Sequence, residues 1–199
     1  MAITNYTNLK SSIADFLNRD DLTDVIPTFI ALAEAQISRD LRHWKQDVYA
    51  TTTINEVTEY LPDGFLEAKR IWIDGEAALS YISHEKMIDM RASDDVAGTP
   101  RYYTFNARQI EFYPDAGSDL TLHMTYKARI PSLSDEIDDN WLLHDFPDIY
   151  LYGSLLHSAL YLQDDARIAA WGNLYAQAVD SANSTSRAAD ASGSTLVMR

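Results

Sequence analysis

The sequence predicts an α+β fold: an antiparallel helical bundle of about four helices, with a small antiparallel β-domain inserted in it and an extended C-terminal tail. Three observations predict this. Apolar residues recur at helical spacing over residues 1–43 and again over 131–183, whereas from 44 to 130 the period falls to that of strands, with Pro, Asp and Gly at the joints. Residues 184–199 are mostly Ser, Thr, Ala, Asp and Gly, the composition of a linker. The expected divisions are therefore an N-terminal hairpin of the bundle (1–43), the β-insertion (44–130), a C-terminal hairpin (131–183) and a flexible arm (184–199).

The elements follow in order. Thr7 is the expected N-cap of a first helix whose face is Leu9, Ile13, Phe16 and Leu17. The cluster Asn18-Arg19-Asp20-Asp21 makes a turn, and Thr23 with Asp24 opens a second helix, with Pro27 in its first turn. Its face is Ile26, Phe29, Ile30, Ala33, Ile37 and Leu41. In the insertion, VYATTTI and AKRIWIDG are rich in β-branched and aromatic residues and are separated by the turn LPDGF. His84 to Ala92 reads as one helical interruption. Strands then follow at Tyr102–Phe105, Gln109–Tyr113 and Leu120–Tyr126.

After Pro131 an acidic crossover leads to a short helical piece at Trp141–Leu143 and to Pro147, which starts the next helix. That helix, from Ile149 to Gln163, carries no Asp, Glu, Lys or Arg. Ile149, Gly153, Leu156 and Leu160 form one apolar stripe on it, and Leu151, Leu155 and Leu162 form a second on nearly the opposite side. One stripe is expected to face the core and the other a second domain face or a neighbouring copy of the chain. The run is too short for the roughly 17–25 apolar residues of a membrane span, so no membrane partner is expected. The last helix shows a stripe of Ile168, Trp171, Tyr175, Ala178, Val179 and Ala182. The tail ends in Leu196-Val197-Met198-Arg199, an apolar tip on a polar tether and a candidate docking peptide.

Composition narrows the function. The net charge of −14 argues against nucleic-acid affinity as the main activity, because duplex binding depends on Lys and Arg neutralising phosphates. The basic concentrations are Arg39, Arg42, His43 and Lys45 at a helix end, and Lys69 with Arg70, and the first reads as helix capping. The absence of cysteine removes disulfides, thiolate zinc sites and cysteine nucleophiles. MAITNYTNLKSS lacks the pattern of a secretory signal, so none is expected.

Residues with chemistry are scattered. His43, His84, His123, His144 and His157 fall on different elements without metal-ligand spacing. The acidic pairs Asp20-Asp21, Asp94-Asp95, Asp138-Asp139 and Asp164-Asp165 sit where Asp favours turns and caps. No GxSxG, P-loop or GxGxxG occurs. No catalytic residue, metal or cofactor is therefore expected. Tyr102-Tyr103 and Phe112-Tyr113 fall on adjacent strands, where they read as core packing or, alternatively, as a stacking platform for a sugar or base. A tail-associated or glycan-binding β-module is thus one alternative reading, and a carboxylate-based hydrolase a more distant one.

The chain resembles the head-to-tail adaptor, or connector, proteins of tailed bacteriophages over nearly its whole length. The likeness lies in YTNLKSSIADFLNRDDLTDVIPTFIALAEAQISRDLR, in GTPRYYTF with the following QIEFYP, and most specifically in WLLHDFPDIYLYGSLLHSALYLQDDARIAAWGNLYAQAV. In the last segment it rests on Trp141, Leu142, Leu143, Pro147, Tyr150, Gly153, Leu156, Tyr161, Asp164, Asp165, Trp171 and Tyr175. The resemblance implies a non-enzymatic virion protein of the head-tail interface, assembled in the host cytoplasm. It implies a homo-oligomeric ring, typically a dodecamer, seated on the portal protein. Such a ring extends the DNA channel, lets the genome pass without specific binding, and offers a platform to tail or nozzle proteins. The resemblance also makes Leu151, Ser154, Leu155, Ser158 and Leu162 the residues that face the next subunit, and the tip Leu196, Val197, Met198 and Arg199 the portal-docking arm.

Overall fold

The computed structural model describes residues 2–19, 21–94, 97–163 and 165–192. It is mixed α+β, with six α-helices and several small sheets among the described residues. The chain divides into two compact units: Met1–Trp44 with Ile130–Arg199, and Lys45–Arg129.

The first unit is helical. Helix α1 (Tyr6–Leu17) is capped by Asn5, whose side chain accepts a hydrogen bond from the Asn8 N–H at 2.8 Å, so the cap lies two residues before the expected Thr7. It ends at Asn18 in the left-handed conformation. Helix α2 (Ile26–Asp40) holds Pro27 in its first turn, where the missing N–H breaks no helical bond. Its expected face is buried from Ile26 to Leu41. Asn140 caps α4 (Trp141–Asp145), and α5 (Pro147–Leu162) follows directly. Helix α6 spans Asp165–Ser192.

Helix α6 corrects one expectation. Residues 184–192, assigned by composition to a linker, continue the helix. The buried stripe of Tyr175, Val179 and Ala182 extends one turn to Ser186, whose hydroxyl accepts the Trp44 N–H at 2.8 Å. Asn183 also bonds the end of α2, accepting from Arg42 N–H at 2.8 Å and donating to the Asp40 carbonyl at 3.1 Å. Polar residues here pair with backbone groups of the same unit, a use of Ser and Asn that composition does not reveal.

In the second unit, strands β1 (Asp47–Ile54), β2 (Thr58–Tyr60), β3 (Phe65–Ile73) and β4 (Ser80–Tyr81) precede α3 (His84–Ser93). Strands β5 (Ala97–Gly98), β6 (Tyr102–Asn106), β7 (Gln109–Tyr113), β8 (Asp115–Ala116) and β9 (Leu120–Ala128) follow it. One sheet has the antiparallel order β1-β9-β3, the second the order β2-β7-β6-β4, and β5 pairs with β8. The pairs β4–β6 and β5–β8 are parallel, so the unit is antiparallel only in its longer strands. The turn LPDGF lies before β3 as expected, but the strand that leads into it is the unexpected β2, which belongs to a different sheet. Ile54, Ile71, Ile73, Ile110, Phe112, Leu122 and Met124 form the core of this unit.

Candidate assembly surfaces

Helix α5 is enclosed by its own chain. It packs against α1, α2, α4 and α6, and Leu9, Ile30, Tyr150, Leu155 and Tyr175 share one core. This overturns the expected subunit-facing stripe. Ser154, Leu155 and Ser158 have no exposed surface, Leu151 keeps 7%, and Leu162 is half-buried against the same core. A projection of one helix shows that both sides need cover, but it cannot show that four neighbours from the same chain supply it.

The small residues of α5 serve close packing inside the chain. A Cβ at Gly153 would meet the Ala33 Cβ of α2 at 3.2 Å and the Tyr175 ring of α6 at 3.3 Å. The Ser158 hydroxyl donates to the Leu155 carbonyl at 2.7 Å, which allows it to be buried. The large apolar side chains left exposed on the α-helices of this unit include Phe16 in the last turn of α1, Leu32 on α2, Leu160 and Tyr161 at the end of α5, and Leu174 on α6. Tyr161 leans on the Phe29 ring at a centroid distance of 5.5 Å.

A polar network in the helical unit escaped the sequence reading. The Glu34 carboxylate accepts the Leu133 N–H at 2.7 Å and the Tyr150 hydroxyl at 3.5 Å. Asn140 donates to Tyr150 at 2.8 Å and accepts the Leu143 N–H at 2.9 Å as the cap of α4. Burial pushes the Glu34 carboxyl above its ordinary range and the Tyr150 hydroxyl well above its own. The partners are far apart in sequence, so no local pattern announces them.

The candidate chemistry disperses. His43 is buried, its ring stacked on Trp141 at 5.2 Å, while His84 stands 4.0 Å from Glu111 and His144 pairs with Asp145 at 3.0 Å. His123 shares a 2.6 Å hydrogen bond with the Tyr49 hydroxyl. His157 is held below its usual pKa, first by burial and then by Arg39. Among the described residues no three His, Asp or Glu side chains gather as a metal site. Asp21 pairs with Arg19 at 2.6 Å, and the Asp138 carbonyl accepts the Tyr6 N–H at 2.6 Å. Asp20, Asp95 and Asp164 lie outside the described residues. Arg42 donates to the Ser38 and Leu41 carbonyls at the end of α2, a capping role.

Tyr102 faces Tyr113 and Tyr103 faces Phe112 across β6 and β7. Phe112 is fully buried and Tyr113 nearly so, which makes this half of the pairing core. The docking tip Leu196, Val197, Met198 and Arg199 lies outside the described residues. No helix among the described residues is long and apolar enough to cross a membrane.

The chain combines a helical unit and a β-unit, and the model of one family, described as SU10 adaptor protein, matches residues 4–199. The chain belongs to the SU10 adaptor protein family. This agrees with the phage head-to-tail adaptor resemblance in its sequence and implies a structural role. No curated protein matches the adaptor. The match begins before α1 and runs through both units, so the β-unit is as much part of the adaptor as the helices are.

Proposed function

We propose that the chain is the head-to-tail adaptor of a phage virion. In this reading, copies close into a ring on the portal, in the number of twelve, extend the DNA channel and give tail or nozzle proteins their seat. The family match over residues 4–199 carries the reading. The net charge of −14 suits a channel wall that DNA slides past without being held. The helical unit is proposed as the ring's bundle of about four helices. With both sides of α5 covered, its lateral contacts are assigned to the exposed apolar residues of the helix surfaces, Phe16, Leu32, Leu160, Tyr161 and Leu174. Contacts that are weak singly become strong when repeated around a closed ring.

The arm Leu196-Val197-Met198-Arg199 is proposed to dock on the portal. Electron microscopy of the protein mixed with portal rings tests the whole reading. The expected result is an added annular layer on one face of the portal, and portal rings that stay bare at micromolar adaptor would sink it. Deleting Ser194–Arg199 is expected to abolish the layer, and full portal binding by the shortened chain would remove the arm from the account.

A further inference from the structure

The sheet β1-β9-β3 has two edges, and only one of them is guarded. Strand β3 is broken by register shifts at Phe65/Glu67 and Ala68/Arg70, carries Glu67, Lys69 and Arg70, and is met near its end by a bridge from Ala78 to Trp72. Bulges, charges and covering segments are the means by which proteins prevent pairing at a sheet edge. Strand β1 has no bulge and no covering strand, and its one charge, Asp47, stands at its first residue. It pairs with β9 without a break from Asp47 to Ile54, and its run Val48-Tyr49-Ala50-Thr51-Thr52-Thr53-Ile54 contains no charge and no proline. Among the described residues no main-chain hydrogen bond reaches its outer side.

A cleft of about 260 Å³ lies along this bare edge. Its lining includes residues 50–52 of β1, Glu59 and Tyr60 of β2, and Leu122 and Met124 of β9, the cross-strand partners of Thr52 and Ala50. Strand β2 is itself the edge of the second sheet. The cleft is smaller than the roughly 300–1,000 Å³ typical of small-molecule sites, and it suits a few side chains of an extended peptide. Main-chain donors and acceptors repeating every second residue are matched by another polypeptide strand and not by a sugar or a nucleic acid.

We propose that the cleft receives an extended segment of a partner protein as an added strand on β1. The segment is apolar at alternate positions, which fill the floor over Leu122 and Met124, and it carries a Lys or Arg beside Glu59. Charge chooses this occupant. Glu59 is the one acidic residue in the lining of the cleft, which holds no Lys, Arg or His. A second copy laid edge to edge would offer its own β1 run, which has no basic residue to meet Glu59. The proposal stands on the β-unit alone and does not depend on ring formation.

The test is selection of a displayed random heptapeptide library on the full-length protein. The most enriched peptide is then synthesised and titrated into the parent and Glu59→Lys proteins, with amide exchange followed on β1. The expected peptides alternate apolar residues and contain Lys or Arg. Their binding weakens about tenfold in Glu59→Lys, a difference of about 1.4 kcal/mol, and exchange slows at alternate amides between Val48 and Thr53. The proposal is overturned if no peptide is enriched, if enriched peptides bind Glu59→Lys as well as the parent or leave β1 exchange unchanged, or if β1 amides are protected instead by self-association of the protein.

Discussion

Gly153 of α5 is pressed against Ala33 of α2: a methyl group added at Gly153 would stand 3.2 Å from the Ala33 Cβ. On its other side stands the Tyr175 ring, tied by a 3.1 Å hydrogen bond from its hydroxyl to Asp40. Neither neighbour can retreat easily, because one sits on a helix backbone and the other is buried and bonded. Gly→Ala normally favours a helix by about 1 kcal/mol. Overpacking of roughly 1–3 kcal/mol opposes that gain here, so Gly153→Ala is expected to show none of it. Gly153→Leu is expected to lower unfolding free energy by about 3 kcal/mol in urea titrations, the upper end of overpacking costs. Parent-like stability in Gly153→Leu would show that α5 is not seated against α2 as described.

The enclosure of α5 separates two substitutions that a helix projection treats alike. Leu155 is fully buried, whereas Tyr161 is 58% exposed. Leu155→Asp places a carboxylate in the core and is expected to cost about 4 kcal/mol or more, visible as lost helical circular dichroism at 25 °C. Tyr161→Asp is expected to keep the parent's melting curve and to reduce ring occupancy on portal in micrographs. A folded Leu155→Asp protein would return α5 to the subunit surface.

Helix α3 is fastened to the β-unit by Arg91, which reaches the buried Glu111 at 3.2 Å and the Phe112 carbonyl at 2.9 Å. Asn106 donates to the other Glu111 oxygen at 2.8 Å. Glu111→Ala leaves both donors without that partner. The expected loss is roughly 2 kcal/mol, below the 3–5 kcal/mol of a fully buried pair because part of Arg91 reaches solvent. Unfolding of the Glu111→Ala and Arg91→Ala proteins should show similar losses that are not additive in the double variant, and additivity would mean the two do not act as a pair.

Two half-buried groups tilt the stability curve in opposite directions. Glu34 has a folded pKa raised by burial, so its contribution is present below the ordinary glutamate range and is lost as pH rises through the folded value. His157 has a folded pKa lowered by burial and by Arg39, so its contribution is present above 6.5, the ordinary value, and is lost as pH falls through the folded value. Glu34→Gln should therefore lose less stability than the parent between pH 4 and pH 7. His157→Gln should flatten the decline below pH 6.5. Denaturant unfolding across that range checks both, and unchanged slopes would mean the two groups titrate as they do in the unfolded chain.

The sequence by itself determined the helices up to residue 183 and the longer strands, that both sides of α5 must be covered, and that the chain has the pattern of an adaptor. Periodicity reports these because burial on one face of an element selects residues every second or every three to four positions. The buried face of α2 and the facing of Tyr102 and Tyr103 with Tyr113 and Phe112 were legible in that way. Only the tertiary structure decided which partner covers each face. It gave α5 to its own chain, carried α6 past Ser184, joined β1 to β9 across most of the β-unit, and left the outer edge of β1 bare. Those choices depend on contacts between residues distant in sequence, and a residue type records that it is buried without recording what buries it.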